Sequence, residues 1–356
     1  MLALLLCQAT TVKADSDSKI YSILKNDTRN GVLQQLLNTT PKVTQPNSHI
    51  HESYLLAQVT DSSKKGSLAP ESITVIYPDI GEPFRSVFTK IIEGIEEQAK
   101  GKVRSIAIAN QDSAEINALL RKNGTKVVIA LGQRGYKVAS GLDRDFNVIV
   151  GGVLSVPDPE RSPYTVISLT PDPALLFAQL KNLIPGIKRV LVVYNPSNNE
   201  WLIKHARTAA KAQSLELITY EARDLASAAH QYETAFNASD SRFDSLWLPQ
   251  DSTTVEESTI MPLVLKESWN RGVPIFSSNF LHVKKGALFA LYPNNLEMGR
   301  HLGSTAMGSL GGDISKRGLF PLKDVLSALN IRTASRIGIN IGAQRQRSFD
   351  FIFPEP

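Results

Sequence analysis

The stretch VLVVYNPSNNEW (190–201) runs apolar from Val190 to Tyr194 and then stops in Asn195, Pro196 and Ser197. An apolar run of this length, closed by turn residues, reads as a strand buried on both faces, the mark of a parallel sheet covered by helices. The same grammar returns in VVIALGQRG (127–135) and SLWLPQDSTTVEE (245–257): a buried strand, a polar tip, then a helix. In open parallel sheets the carboxyl ends of the strands are where ligands bind, so what these tips hold is the functional question.

Working outward, the alternation covers most of the chain. ITVIY (73–77) leads into Gly81, Glu82 and Pro83, which start a helix lined by Phe84, Val87, Phe88, Ile91, Ile92 and Ile95 on one face. VRSIAIA (103–109), VVIAL (127–131) and NVIVGGV (147–153) follow as strands, with helices over 112–122 and 133–140. After a proline-rich segment at 157–163 come TVISL (165–169), RVLVVY (189–194), LELITY (215–220), SLWLP (245–249) and VPIFSS (273–278). Helices over 172–183, 198–213, 224–236 and 254–270 separate them. A strand and helix over 286–310, then a strand-like run and short helix within 322–341, close the series. These are too many units for one compact sheet. The fold class is therefore α/β, with two Rossmann-like lobes of parallel strands joined by a hinge.

A chain of 356 residues has room for two such lobes. Its net charge of +5 is mild, and its basic residues are scattered without interleaved aromatics, so no nucleic-acid partner is expected. LALLLC (2–7), with Val12 and Ala14 before Asp15 as a small-residue cleavage site, reads as an export signal over 1–14. It is far shorter than the roughly 20 apolar residues a bilayer crossing takes, and no later segment approaches that length. The mature chain is expected in the periplasm, without membrane insertion. The single cysteine, Cys7, lies in the signal behind Leu6, a poor context for lipid attachment. Its loss would exclude disulfides, thiol catalysis and cysteine metal sites. Residues 15–70, rich in Ser, Thr, Asn, Gln and Asp, read as a flexible extension with one weakly amphipathic piece at 20–37. Two histidines within it, His49 and His51, are too few for a metal site, and neither metal nor cofactor is expected.

Capping accounts for part of the tips. Ser197 with Glu200, and Thr253 or Thr254 with Glu256 or Glu257, have capping-box spacing. Asn195, Asn198, Gln250 and Asp251 are left over as candidate ligand contacts, with Asp251 foremost as the acceptor for an ammonium group. In the first lobe Gly132 lets a ligand approach the backbone, while Gln133, Arg134 and the helix-start amides suit an anion. Asp79 and Ser278, at two further strand ends, complete the set, and Phe84 or Phe276 can cover an apolar part of the solute. No dinucleotide fingerprint, phosphate-gripping loop or nucleophile elbow occurs. His205, His230, His282 and His301 have no metal-ligand spacing, so a binding protein is expected rather than an enzyme.

The second half also carries a resemblance. LFAQLKNLIPGIKRVLVVYNPSNN (176–199), DSLWLPQDSTTV (244–255), the run 273–312 and LSALNIRTASRIGI (326–339) resemble, in order, ABC transporter substrate-binding proteins related to the tryptophan/tyrosine-type binding component. The matching motifs are Tyr194 to Pro196, Pro249 to Asp251, Pro274 to Phe276, Val283 to Ala287, Met298 to Arg300 and Asn330 to Ala334. The resemblance implies a type I periplasmic-binding-protein fold with three crossings and a small-molecule ligand between the lobes. It assigns 71–164 plus 285–318 to the first lobe and 165–284 plus 319–345 to the second. It also implies a monomer serving an ABC permease and its ATPase. YPDIGEPF (77–84) and ISLTPDPA (167–174) depart from the family's ligand loops, so the amino-acid specificity of its best-known members need not carry over. The alternatives are an orphan sensory or interaction subunit without a transporter, and a two-lobed enzyme of the sugar-nucleotide type.

Overall fold

The computed structural model describes residues 72–82, 84–313 and 316–354. The export signal, Cys7, the extension with its two histidines, and Pro83 lie outside the described residues. The first lobe opens with β1 (Ile73–Pro78), α1 (Phe84–Ala99), β2 (Val103–Ile108), α2 (Ser113–Lys122), β3 (Val127–Leu131), α3 (Gly132–Ala139), β4 (Asn147–Val153) and β5 (Thr165–Pro171). Then follow α4 (Pro173–Leu183), β6 (Arg189–Tyr194), α5 (Pro196–Ala212), β7 (Glu216–Glu221), α6 (Leu225–Asn237), β8 (Asp244–Leu248) and α7 (Ile260–Arg271). The chain ends in β9 (Ile275–Ser277), α8 (Phe280–Lys285), β10 (Phe289–Pro293), α9 (Asn295–Leu310), β11 (Gly318–Leu322), β12 (Val325–Asn330), α10 (Ile331–Arg336), α11 (Ala343–Gln346) and β13 (Phe351–Phe353).

The strands form two sheets, in the orders β11-β5-β4-β3-β1-β2 and β13-β12-β10-β9-β8-β6-β7. Every pairing in the first is parallel. In the second only β10 with β12 is antiparallel. Burial on both faces follows from the apolar runs. Ile73, Val75, Val127 and Ile129 pack with Ile91, Ile95, Met298 and Leu302 on one side, and Ile76, Val128 and Val150 pack on the other. At the amino ends of β6 and β8, the Arg189 guanidinium donates to both oxygens of the fully buried Asp244, at 2.5 Å each.

The lobes are divided differently from the sequence expectation. Thr165–Pro171 was assigned to the second lobe, but it pairs with β4 and β11 in the first sheet. The proline-rich segment is a loop with a 3-10 turn at Pro159–Arg161 that returns to the same sheet, because prolines interrupt a ladder without choosing the next partner. The first crossing lies instead at Asp172. Residues 286–310 are likewise split: β10 pairs with β9 and β12 in the second sheet, and only α9 returns to pack on α1. Strand β11 stays in the first sheet up to Leu322, beyond the expected boundary at 318.

The α1–α9 contact is a backbone contact. A Cβ added to Gly299 would lie 2.0 Å from the Ile91 carbonyl oxygen, and one added to Gly94 would lie 2.1 Å from that of Leu296. Only glycine permits this approach, and it binds α9 to the first lobe although the strand before it belongs to the second.

Candidate functional site

The crossings define where the two sheets face one another. All strands of the first sheet are parallel, so their carboxyl ends share one edge, and the chain leaves that edge at Pro171 and Leu322. The parallel strands of the second sheet share another edge, and the chain leaves it at Pro293. The links are short and bonded together: Asp172 N donates to Leu322 O at 2.8 Å, and Asn294 N to Asp324 O at 2.9 Å. Strand tips of both lobes therefore open onto one shared cleft.

On the first lobe, α3 springs directly from β3 with Leu131 as its N-cap residue, whose side chain cannot cap. Gly132 begins the helix at φ +71°, and a Cβ there would stand 3.0 Å from the Phe88 ring. Gln133 Nε2 donates to Ser155 O at 3.0 Å and so ties the tips of β3 and β4. Arg134 and Asp79 are exposed, and neither side chain has a hydrogen-bond or ion-pair partner among the described residues. Since β1 and β3 are bonded neighbours, these opposite charges stand on adjacent tips. Beside Asp79 opens a groove of about 570 Å³ lined by Tyr77, Pro78, Ile80, Arg85 and Phe88, among others.

The second lobe uses its polar tip residues on itself. Asp251 is buried, and its carboxylate accepts from Asn195 N at 2.7 Å, Asn199 Nδ2 at 2.9 Å, Thr253 N at 3.0 Å and Thr254 N at 3.3 Å. A carboxylate offers about four acceptor positions, so Asp251 is occupied as a clasp between two strand tips, not left open for an ammonium group. Asn199, missed in the sequence, is its partner; only its i+4 position after Asn195 hinted at a shared face.

The expected capping boxes are also replaced. Asn195 caps α5 by accepting from Ser197 N at 3.0 Å, while Glu200 accepts from Tyr194 Oη at 2.8 Å. Burial, then this bond, raises the Tyr194 pKa. Thr254 Oγ1 donates to Val193 O, and Glu256 accepts from Ser258 N and Thr259 N, so α7 starts at Ile260 rather than 254. Gln250 Nε2 donates to Ser278 O at 3.1 Å, and Ser278 Oγ accepts from Trp247 Nε1 at 3.2 Å. Of the second-lobe candidates, Asn198 alone has an exposed side chain without a partner among the described residues. Phe276 is fully buried and stacked on Phe289, with ring centroids 5.2 Å apart, so it belongs to the core and not to a ligand wall. Phe84 is half-buried at the start of α1.

One constellation has the residue types of a catalytic string. Ser277 Oγ stands 2.7 Å from His282 Nδ1, and Glu257 Oε1 stands 3.4 Å from Nε2. Asn279 Oδ1 accepts from Leu281 N, so its amide nitrogen faces Nε2 at 2.9 Å and donates to it; the ring proton is then on Nδ1. Ser277 is fully buried and His282 is 2% exposed, so no substrate reaches them. Burial holds the His282 pKa down to about 3, as befits a neutral core histidine. Among the described residues no group of His, Cys, Asp and Glu could hold a metal ion, and no helix is long and apolar enough to cross a membrane.

Residues 176–343 match the family model of the ABC transporter substrate binding protein. No curated protein matches the chain. The ligand-free, open structure of a substrate-binding protein with adhesive properties from Clostridium difficile is similar over 79% of this chain and 98% of its own, with 16% identity and a TM-score of 0.57. A domain from Streptococcus pneumonia in complex with L-Trp is similar over 79% of this chain and 100% of its own, with 19% identity and a TM-score of 0.47. An ABC transporter solute-binding protein from Clostridium phytofermentas with bound L-rhamnose covers 76% and 99%, with 11% identity and a TM-score of 0.39. Two mainly parallel sheets joined by three crossings make this a type I periplasmic-binding-protein fold.

Proposed function

We propose that the protein captures a small zwitterionic solute of the amino-acid class between its lobes, outside the cytoplasm, and presents it to an ABC permease driven by an ATPase. The carrying observation is the pair of opposite charges, Asp79 and Arg134, on adjacent tips of the first sheet and without partners among the described residues. The solute's carboxylate would meet Arg134 and the uncapped start of α3, and its ammonium would meet Asp79. Asn198 on the second lobe is the side chain free to close over it. This reading transfers the ammonium from Asp251, whose carboxylate is engaged, to Asp79. Export through the 1–14 signal and action as a monomer belong to the same proposal.

A thermal-shift screen of amino acids and related zwitterions selects the solute, and calorimetry then tests the residues. A desolvated, hydrogen-bonded charge pair that loses one partner costs about 2–5 kcal/mol, or roughly thirtyfold to several thousandfold in affinity. Arg134→Ala and Asp79→Asn are expected to lose that much, and Lys122→Ala less than tenfold. Near-wild-type affinity in both tip variants would overturn the assignment. A screen without hits among zwitterions would overturn the ligand class.

A further inference from the structure

Three short links join the lobes, and the third is the central one. Leu322 O accepts from Asp172 of the first crossing, and Asp324 O accepts from Asn294 of the second. Whatever holds residues 322–324 therefore holds the whole hinge. Leu322 is already held in the first sheet by β5, and the side chain that reaches the link beyond it from the first lobe is His301 of α9, whose Nδ1 lies 2.9 Å from Asp324 Oδ2. Because α9 is locked to α1 at Gly94 and Gly299, His301 acts as a fixed point of the first lobe.

We propose that the His301–Asp324 contact is a pH-set brake on the hinge. With His301 protonated, a charge-assisted bond pins the central crossing to the first lobe; with His301 neutral, the bond is weaker and the crossing is freer to shift. Lys323 opposes the imidazolium, while Arg300 is engaged by Glu97 of α1 and by Glu297, one turn before His301. Asp172 of the first crossing is turned to its own helix, where it caps Ala174 N. The bond to Asp324 outweighs burial and raises the His301 pKa above its ordinary value. The sign follows: the charged contact is complete at pH below the ordinary histidine value and is lost as pH rises through the raised one. The brake operates whatever the solute is.

Hydrogen exchange read by mass spectrometry tests this on the ligand-free full chain, at about pH 6 and about pH 8.5, corrected for intrinsic exchange. Peptides covering Asn294 and residues 322–328 are expected to lose protection several-fold at the higher pH, while a peptide over β3 does not. His301→Gln and Asp324→Asn are each expected to abolish that difference. An equal loss in His301→Gln, or no loss in the wild type, overturns the proposal. The wild-type profile alone decides the matter if a variant fails to fold.

Discussion

Asp251 Oδ2 lies 2.7 Å from the backbone nitrogen of Asn195, so one carboxylate joins the tips of β8 and β6. With the Arg189–Asp244 pair at the opposite ends of the same strands, this neighbouring pair is fastened at both ends. Removing the carboxylate leaves the Asn195 amide and the Asn199 side chain without their acceptor. Asp251→Ala is expected to lower stability by about 2–4 kcal/mol in urea unfolding. Asp251→Asn should fall not far short of this, because its NH₂ would face donors. An unchanged unfolding midpoint in both variants would show that the clasp carries no stability.

This clasp marks the limit of what was legible in the sequence. Strand and helix alternation could be read because an apolar run bounded by Asn, Pro or Gly reports local burial and local chain breaks. Which tip residues serve the fold and which stay open is a tertiary matter. Asp251 and Arg134 look alike as charged tip residues, yet one meets four donors and the other meets no acceptor among the described residues. Lobe membership failed for a similar reason. Proline at 157–163 announces a break in hydrogen bonding, but only pairing with β4 decides that β5 stays in the first sheet.

The glycine contact between α1 and α9 gives a sharp steric expectation. Gly299→Ala gains helix propensity of about 1 kcal/mol but drives a methyl group into the Ile91 carbonyl. Overpacking of this kind typically costs about 1–3 kcal/mol and here cannot be relieved by a rotamer. A net loss of stability is expected, together with exchange of amides along α1. Gly81→Ala, with nothing within 4 Å of the added carbon, is the neutral control. Equal unfolding midpoints for the two variants would rule out the close approach.

Buried His282 sets an acid limb. Its folded pKa of about 3 lies below the ordinary histidine value, so the unfolded chain binds a proton that the folded chain refuses. The stability this contributes is complete above about pH 6.5 and falls as pH drops toward the folded value, by up to about 1.4 kcal/mol per unit. His282→Gln is expected to flatten that decline, measured as urea unfolding at successive pH values. Parallel slopes in variant and wild type would mean that His282 is protonated in the fold.

The residues at the crossings also limit how the lobes can turn. Asp172 sits between Pro171 and Pro173, and Asn294 follows Pro293. Proline fixes its own φ and confines the residue before it to extended backbone, in keeping with Asp172 at φ −63°, ψ 122°. The first link therefore has few torsions left to rotate and the second has lost the φ of Pro293, so any swing between the lobes is restricted, as on an axle instead of a ball joint. Lys323 and Asp324 have no proline beside them, so the link with the most torsions to spare is the one that His301 reaches.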